Sequence, residues 1–407
     1  MSDKNNFSGF DTLCIRGGHT PESNRAHLTP IYASSTYTFD SAEQAIAVFK
    51  GDEEGYIYGR WGNPTIAEAE EKIALLEAYG LNDKDGKPLQ LKTLLHSSGM
   101  SAICTMLLSN IKAGQKIITH FSLYGGTHEL VEKILPGLDI EPVIVDFHDL
   151  NKVEDALKAD KSIRLMHIET PANPTLQCVD IEALATLGKK YDLTVCVDNT
   201  FATPYLQQPF RYDVDYVMHS TTKFLNGHGT LIGGAMVGKD MEKMNSSVTK
   251  MHRLLGGNSN AFEAFLLTNG LRTFGLRMER HCANAQRVAE FLENHPGVDK
   301  VNYLGLPSHP DHAMCKKQMR NGGAMLSFEL KGGFDAGLNF INKLKVCTNA
   351  VSLGTCDTLV SHAASTTHLG VAREKRIEFG ITDGLIRMSV GIENVEDILN
   401  DLEQAIG

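Results

Sequence analysis

Residues 163–198 read IRLMHIETPANPTLQCVDIEALATLGKKYDLTVCVD. The apolar and β-branched run Arg164 to Ile168 predicts a strand. Ile181 to Tyr191 has helical spacing, and Thr194 to Val197 is again strand-like. Strand, helix and strand within so short a stretch make a βαβ unit, the building block of a parallel sheet covered on both faces.

The alternation continues upstream. Helix Met100 to Ile111, strand Lys116 to Thr119, helix Thr127 to Leu135, strand Glu141 to Val145 and helix Asn151 to Ala159 precede it, and a helix from Thr65 to Ala78 comes earlier. LNDKDGKPLQ, which follows that first helix, reads as an exposed polar loop. The first 60 residues show little helical periodicity and many turn formers, so an extended arm is expected there. Downstream, a long helical stretch from Ala261 to Pro296 leads to GAMLSFEL and LIRMSVGI, strands of a second, smaller unit. The expected fold class is α/β, a mainly parallel sheet with a smaller C-terminal α/β domain. The expected division is 1–60 arm, 61–260 large domain and 261–407 small domain.

The 407 residues carry 49 Asp and Glu against 39 Lys and Arg, a formal charge of −10. This acidic balance gives no general attraction to nucleic acid or anionic lipid, so neither partner is expected. Hydrophobic residues at 42% and charged residues at 22% suit an ordinary globular protein with an ample core. No apolar run reaches the roughly 18 residues of a membrane span, and the N-terminus lacks the apolar core of a signal peptide, so a cytoplasmic enzyme of small molecules is expected. Eight cysteines form no CxxC pair, the histidines form no HExxH motif, and no metal is expected.

In parallel sheets ligands bind beyond the carboxyl ends of the strands. The stretch YVMHSTTKFLNGHGTLIGG, Tyr216 to Gly234, runs from a strand into Ser220, Thr222 and Lys223. Hydroxyls beside a lysine can bind phosphate, and a sequestered amine can condense with a carbonyl. A lysine on a polar turn is more often simply solvated. Asp198 ends the strand TVCVD; it can cap the next turn or pair with a heterocyclic nitrogen. Ser97 to Met100 form a small-residue turn opening a helix, whose free amides suit an anion or serve only as an N-cap. Tyr124, in LYGGT, offers a face to a planar ring or a place in the core. Arg387 interrupts the apolar strand LIRMSVGI, so it needs a carboxylate or a structural partner.

Together YGRWGNPT, SSGMSA, LYGGT, ETPANPT, VDNTFATPYLQQP, HSTTKFLNGHG, LRMERHCANAQ, SLGTCDTLVSHAASTTH and LIRMSVGIE resemble the pyridoxal-phosphate enzymes of cysteine and methionine metabolism, from about Gly9 onward. The resemblance implies the aspartate aminotransferase-like fold (fold type I) and pyridoxal 5'-phosphate as cofactor. It implies that Lys223 carries the cofactor as a Schiff base and moves protons, and that Asp198 pairs with the pyridine nitrogen. Gly99, Met100, Ser220 and Thr222 would hold the phosphate, with Tyr58 and Arg60 reaching over from a neighbouring subunit. Tyr124 would stack on the ring and assist leaving-group protonation. Asn173, the Ser352 backbone and Arg387 would grip the substrate carboxylate. A homotetramer of dimers with shared active sites is implied.

The implied activity is γ-elimination of methionine or a related homoserine-derived amino acid; the alternative is γ-replacement on an O-acylhomoserine. A non-catalytic binding protein on the same fold is the reading from another class. The C-terminal third is most similar to the methionine γ-lyase branch, whose loop carries a cysteine two residues after the stacking tyrosine. Gly126 stands there instead, which is similar to the cystathionine γ-synthases, the cystathionine γ-lyases and the homoserine-ester sulfhydrylases. Gly59 replaces a usual serine, Asp357 replaces a glutamate that reads the distal end of the substrate, and the segment 243–260, with His252 and Arg253, departs from the lyase pattern.

Overall fold

A computed structural model describes residues 7–19, 25–367, 369–370 and 372–407. Parts of the expected arm (1–6 and 20–24) and His368 of SHAASTTH lie outside the described residues.

Seven strands form the large sheet: β1 (Lys92–His96), β2 (Lys116–Thr119), β3 (Glu141–Ile144), β4 (Ile163–Glu169), β5 (Thr194–Asp198), β6 (Tyr216–His219) and β7 (Gly234–Gly238). Their order is β1-β7-β6-β5-β4-β2-β3. Strands β2 to β6 pair in parallel, and β7 runs antiparallel between β6 and β1. Every residue of β6 and β7 is buried, as a sheet covered on both faces requires.

The βαβ unit appears as expected, with its helix at Ile181–Lys190. Asp180 caps this helix by accepting from the Ala183 amide. The helix Pro64–Glu77 starts on Asn63, whose side chain accepts from Thr65 N and Ile66 N, with Pro64 in the first turn. Strands β1 and β7 were not expected. GAMVG lacks a strand signature because its glycines serve close packing: a Cβ on Gly234 would meet Ser98 O at 2.2 Å, and one on Gly238 would meet Met244 Sδ at 2.7 Å. The expected helix after Tyr124 is broken into an α turn (Gly125–Glu129), a π turn (Leu130–Ile134) and a 3-10 turn (Leu135–Leu138).

Within the N-terminal segment the chain forms two helices, Phe10–Arg16 and Ala42–Lys50, where periodicity gave none. The first is fastened to its own chain. The Phe10 ring meets Tyr79, Tyr205 and Phe274, and Lys72 Nζ donates to Cys14 O at 3.0 Å. The second leaves Ile46 and Phe49 exposed, so no buried stripe marks it in the sequence.

The long helical stretch divides into Ala261–Arg272 and Phe274–Glu293. At the break, buried Arg277 donates to Gly270 O at 2.8 Å and to Phe224 O at 2.8 Å, tying the helix junction to the loop after Lys223. The second sheet holds β8 (Val298–Asn302), β9 (Met325–Leu330), β10 (Thr348–Asn349), β11 (Leu359–His362) and β12 (Leu385–Ser389), in the order β10-β11-β12-β9-β8. GAMLSFEL and LIRMSVGI supply β9 and β12, as their apolar runs predict. All eight cysteines are free thiols, six of them buried.

Candidate active site

The carboxyl ends of β4, β5 and β6 lie side by side and each ends on a polar residue: Glu169, Asp198 and His219. Glu169 and Asp198 are register partners. All three are buried. Burial and the charge of Asp198 push Glu169 well above the carboxylate range. Burial also raises Asp198, but a side-chain and a backbone hydrogen bond from Thr200 and the field of His219 oppose it. Glu169 therefore takes the pair's proton first and Asp198 keeps the charge. His219 Nε2 lies 2.5 Å from Glu77 Oε1, a hydrogen-bonded pair in which both residues are buried.

Thr200 connects this row to the next loop. Its amide donates to Asp198 Oδ1 at 3.0 Å, and its hydroxyl accepts from Ser220 N at 2.9 Å. Ser220 faces the turn after β1: a Cβ on Gly99 would come within 3.0 Å of Ser220 Cβ, so only glycine lets these backbones approach so closely. Ser98 caps the helix Gly99–Leu108 through Ser101 N, while the Gly99 and Met100 amides belong to the first turn, which has no intrahelical acceptor. Thr222 Oγ1 accepts from Gly233 N at 2.9 Å and fixes the Gly-rich loop.

Lys223 Nζ donates to Ser352 Oγ at 2.6 Å. Burial, and secondarily Arg387, lowers this amine to about 8. Ser352 adopts φ 87°, a left-handed conformation rare for serine, and its carbonyl accepts from Arg387 Nη2 at 2.7 Å. Arg387 Nη1 also donates to Asn173 Oδ1 at 3.3 Å. Burial lowers Arg387 to about 10, and its guanidinium has no carboxylate partner among the described residues. A buried fork held only by neutral oxygens suits an incoming carboxylate.

Tyr124 is half exposed, and its amide donates to Glu169 Oε2 at 2.7 Å. Gly126 lies beneath its ring. A Cβ there would meet Met100 Sδ and Tyr124 Cε1, each at 2.8 Å, so any side chain at 126 must displace the tyrosine or Met100. Tyr58 and Arg60 stand apart from this cluster. Arg60 stacks over the Tyr58 ring and donates to Arg253 O at 2.6 Å, while Arg253 donates to Trp61 O.

The segment 243–260 folds onto the Ser97 turn: Gly257 O accepts from Ser97 N and from Ser101 Oγ, and buried His252 Nε2 sits 2.9 Å from Leu95 O. His252 is thus structural, and Asp357 is exposed. Sequence reasoning gave no separate role to Glu169, Thr200, His219 or Arg277. Each lies within a motif quoted for the resemblance, Glu169 in ETPANPT, Thr200 in VDNTFATPYLQQP, His219 in HSTTKFLNGHG and Arg277 in LRMERHCANAQ.

The set fits pyridoxal phosphate: a buried amine with a lowered pKa, a glycine-lined anion cradle between Gly99 and Ser220, and a buried carboxylate. No group of three or more His, Cys, Asp or Glu among the described residues is arranged to hold a metal.

Residues 11–407 match the family of Cys/Met metabolism PLP-dependent enzymes. The chain is 46% identical over 400 residues to an L-methionine gamma-lyase of Fusobacterium nucleatum subsp. nucleatum, covering 98% of each chain. It is 42% identical to an L-methionine gamma-lyase of Porphyromonas gingivalis, covering 98% of this chain and 97% of the other. Among solved structures it is similar to cystathionine gamma synthase from Xanthomonas oryzae pv. oryzae in complex with aminoacrylate and cysteine, with a TM-score of 0.89 and 35% identity over 98% of this chain and 97% of that one. The fold is therefore that of the fold type I enzymes, and the chain belongs to the pyridoxal-phosphate-dependent enzymes of cysteine and methionine metabolism.

Proposed function

We propose that this protein cleaves the Cγ–sulfur bond of methionine or a related homoserine-derived amino acid by γ-elimination. Water is consumed, and 2-oxobutanoate, ammonia and a thiol are released. The observation that carries the reading is the Arg387 fork beside the Lys223 amine, which sets an α-carboxylate next to the group that moves its α-proton.

Pyridoxal phosphate, when bound, supplies an electron sink that acidifies the α-hydrogen of an attached amino acid. Lys223 would hold the cofactor, and its free amine would carry protons between substrate Cα and Cβ. Asp198 keeps the pyridine nitrogen protonated. Gly99, Met100, Ser220 and Thr222 bind the phosphate, with Tyr58 and Arg60 given by a neighbouring subunit. Arg387, Asn173 and Ser352 orient the substrate carboxylate, and Tyr124 stacks on the ring and protonates the departing sulfur.

Tyr58 and Arg60 are exposed, Arg60 lying over the Tyr58 ring and donating to Arg253 O, and this supports a homotetramer built from dimers that share sites. Ile46, Phe49 and Leu254 are each exposed, and Phe49 meets Trp61, over which Arg253 stacks; exposed apolar side chains at this place support the same reading. We infer an arm over 1–60, a large domain over 61–260 and a small domain over 261–407. No described helix is long and apolar enough to cross a membrane, and we infer a cytoplasmic enzyme.

Gly126, which stands where the methionine γ-lyase branch carries a cysteine, favours a second reading, γ-replacement on an O-acylhomoserine. Purified enzyme incubated with methionine alone is expected to release 2-oxobutanoate and a thiol. Homocysteine formed from O-acylhomoserine plus sulfide, or cystathionine formed from it plus cysteine, with no oxo acid from methionine, would reverse the assignment.

The Lys223 amine reacts with an aldehyde only when neutral. With its value at about 8, roughly a tenth is neutral at pH 7, against about one in three thousand for an ordinary lysine. Reconstitution of the apoprotein with cofactor, followed by the visible band, is expected to quicken with rising pH and level off above about 8. A rate still climbing steeply toward the range of a free lysine would mean that burial does not lower this amine.

A further inference from the structure

Glu169 is a buried acid with no role in the chemistry above, yet its carboxyl meets both halves of the site. Oε2 accepts from the amide of Tyr124 at 2.7 Å, and the carboxyl also accepts a backbone hydrogen bond from Asn173. Tyr124 is the N-cap of the short helix Gly125–Glu129 and has no side-chain cap of its own, so this contact holds the backbone that carries its ring. Asn173 in turn accepts from Arg387, the carboxylate fork. The Glu169 amide is itself held, donating to His120 Nε2 at 3.3 Å, so the carboxyl projects from an anchored strand end. Its register partner is Asp198.

We propose that Glu169 is the positioning residue that couples the ring-stacking Tyr124 to the substrate fork at Asn173 and Arg387, by accepting from both loop amides with one side chain. This rests on the roles assigned above to Tyr124 and Arg387. What the position needs is a pair of oxygen acceptors at this reach. Because the neighbouring Asp198 carries the charge, Glu169 acts as an acceptor in its neutral form. A glutamine retains one carbonyl oxygen at the same reach, whereas alanine retains none and aspartate is one methylene short.

The test compares Glu169→Gln, Glu169→Ala and Glu169→Asp as reconstituted holoenzymes. Circular dichroism of the bound cofactor reports the stacked ring, and KM and kcat are measured separately. Loss of a buried acceptor from two amides is expected to raise KM about tenfold in Glu169→Ala, and to collapse the cofactor's dichroic band while its absorption remains. Glu169→Gln keeps one acceptor, so its carbonyl is expected to hold Tyr124 and keep the dichroic band within about threefold of wild type, while KM stays raised because its NH2 cannot accept from the Asn173 amide. If Glu169→Ala does not fold, Glu169→Asp is held to the same criteria.

Wild-type KM and dichroism in Glu169→Ala would overturn the proposal. So would a Glu169→Gln whose dichroic band collapses as in the alanine variant, since charge and not reach would then be what matters. Should wild-type enzyme itself bind no cofactor, the broader assignment fails. A working wild type with indifferent variants refutes the role of Glu169 alone.

Discussion

Lys223→Ala is expected to give a folded protein that takes up no covalent cofactor and loses turnover by at least about ten-thousandfold, since one side chain supplies both the attachment point and the mobile base. Borohydride treatment of wild-type holoenzyme should fix an adduct at Lys223, and the variant should show neither adduct nor the corresponding visible band. Folding should survive. The amine is lowered to about 8 from an unfolded value of 10.5. The charged form therefore costs stability below pH 8, a cost that disappears as pH rises from about 8 toward 10.5. Alanine removes that cost near neutrality while forfeiting the Ser352 contact and some packing, so the apo variant should melt close to the wild-type apoprotein. A normal visible band in the variant would place the attachment elsewhere and undo the mechanism.

How much of this could be read from the chain depends on the range of the forces involved. β2, β4, β5 and β6 are legible because a buried parallel strand must be a short apolar run, whereas β3, an edge strand with no buried residue, is read from its place between two helical stretches. β7 is not legible, since its glycines answer to Ser98 and Met244, partners brought together only by the fold. The same division holds in the site. Lys223, Asp198 and Arg387 stand out because a charge beside or within an apolar strand demands a partner, and the resemblance supplied the rest of the set. Glu77 and His219 pair across 142 positions, and Arg277 reaches back 53 residues to the Lys223 loop. No local pattern encodes such contacts. Tyr58 and Arg60 were read only through the family resemblance, and a single chain leaves them facing Arg253.

Asp198→Asn isolates charge from shape. The amide oxygen can still accept from Thr200 N, so the β5 end and the Ser220 loop beyond it should keep their places. What disappears is the negative charge that we propose pairs with the ring nitrogen. A neutral amide does not hold that nitrogen protonated, and the stabilisation of negative charge developing at Cα is lost. Removing such electrostatic support in a buried site is expected to lower kcat by roughly a hundred- to ten-thousandfold. Because Asp198 also pushes Glu169 upward, the variant should let Glu169 ionise more readily, a second change that pairwise reading of the site would miss. Covalent attachment at Lys223 does not need the carboxylate, so borohydride should still fix the cofactor there. The decisive measurement is exchange of the substrate α-hydrogen in heavy water. Exchange and product release should fall together if Asp198 serves carbanion formation. Exchange at the wild-type rate with slow product release would instead assign Asp198 to a later step and leave the ring nitrogen to some other partner.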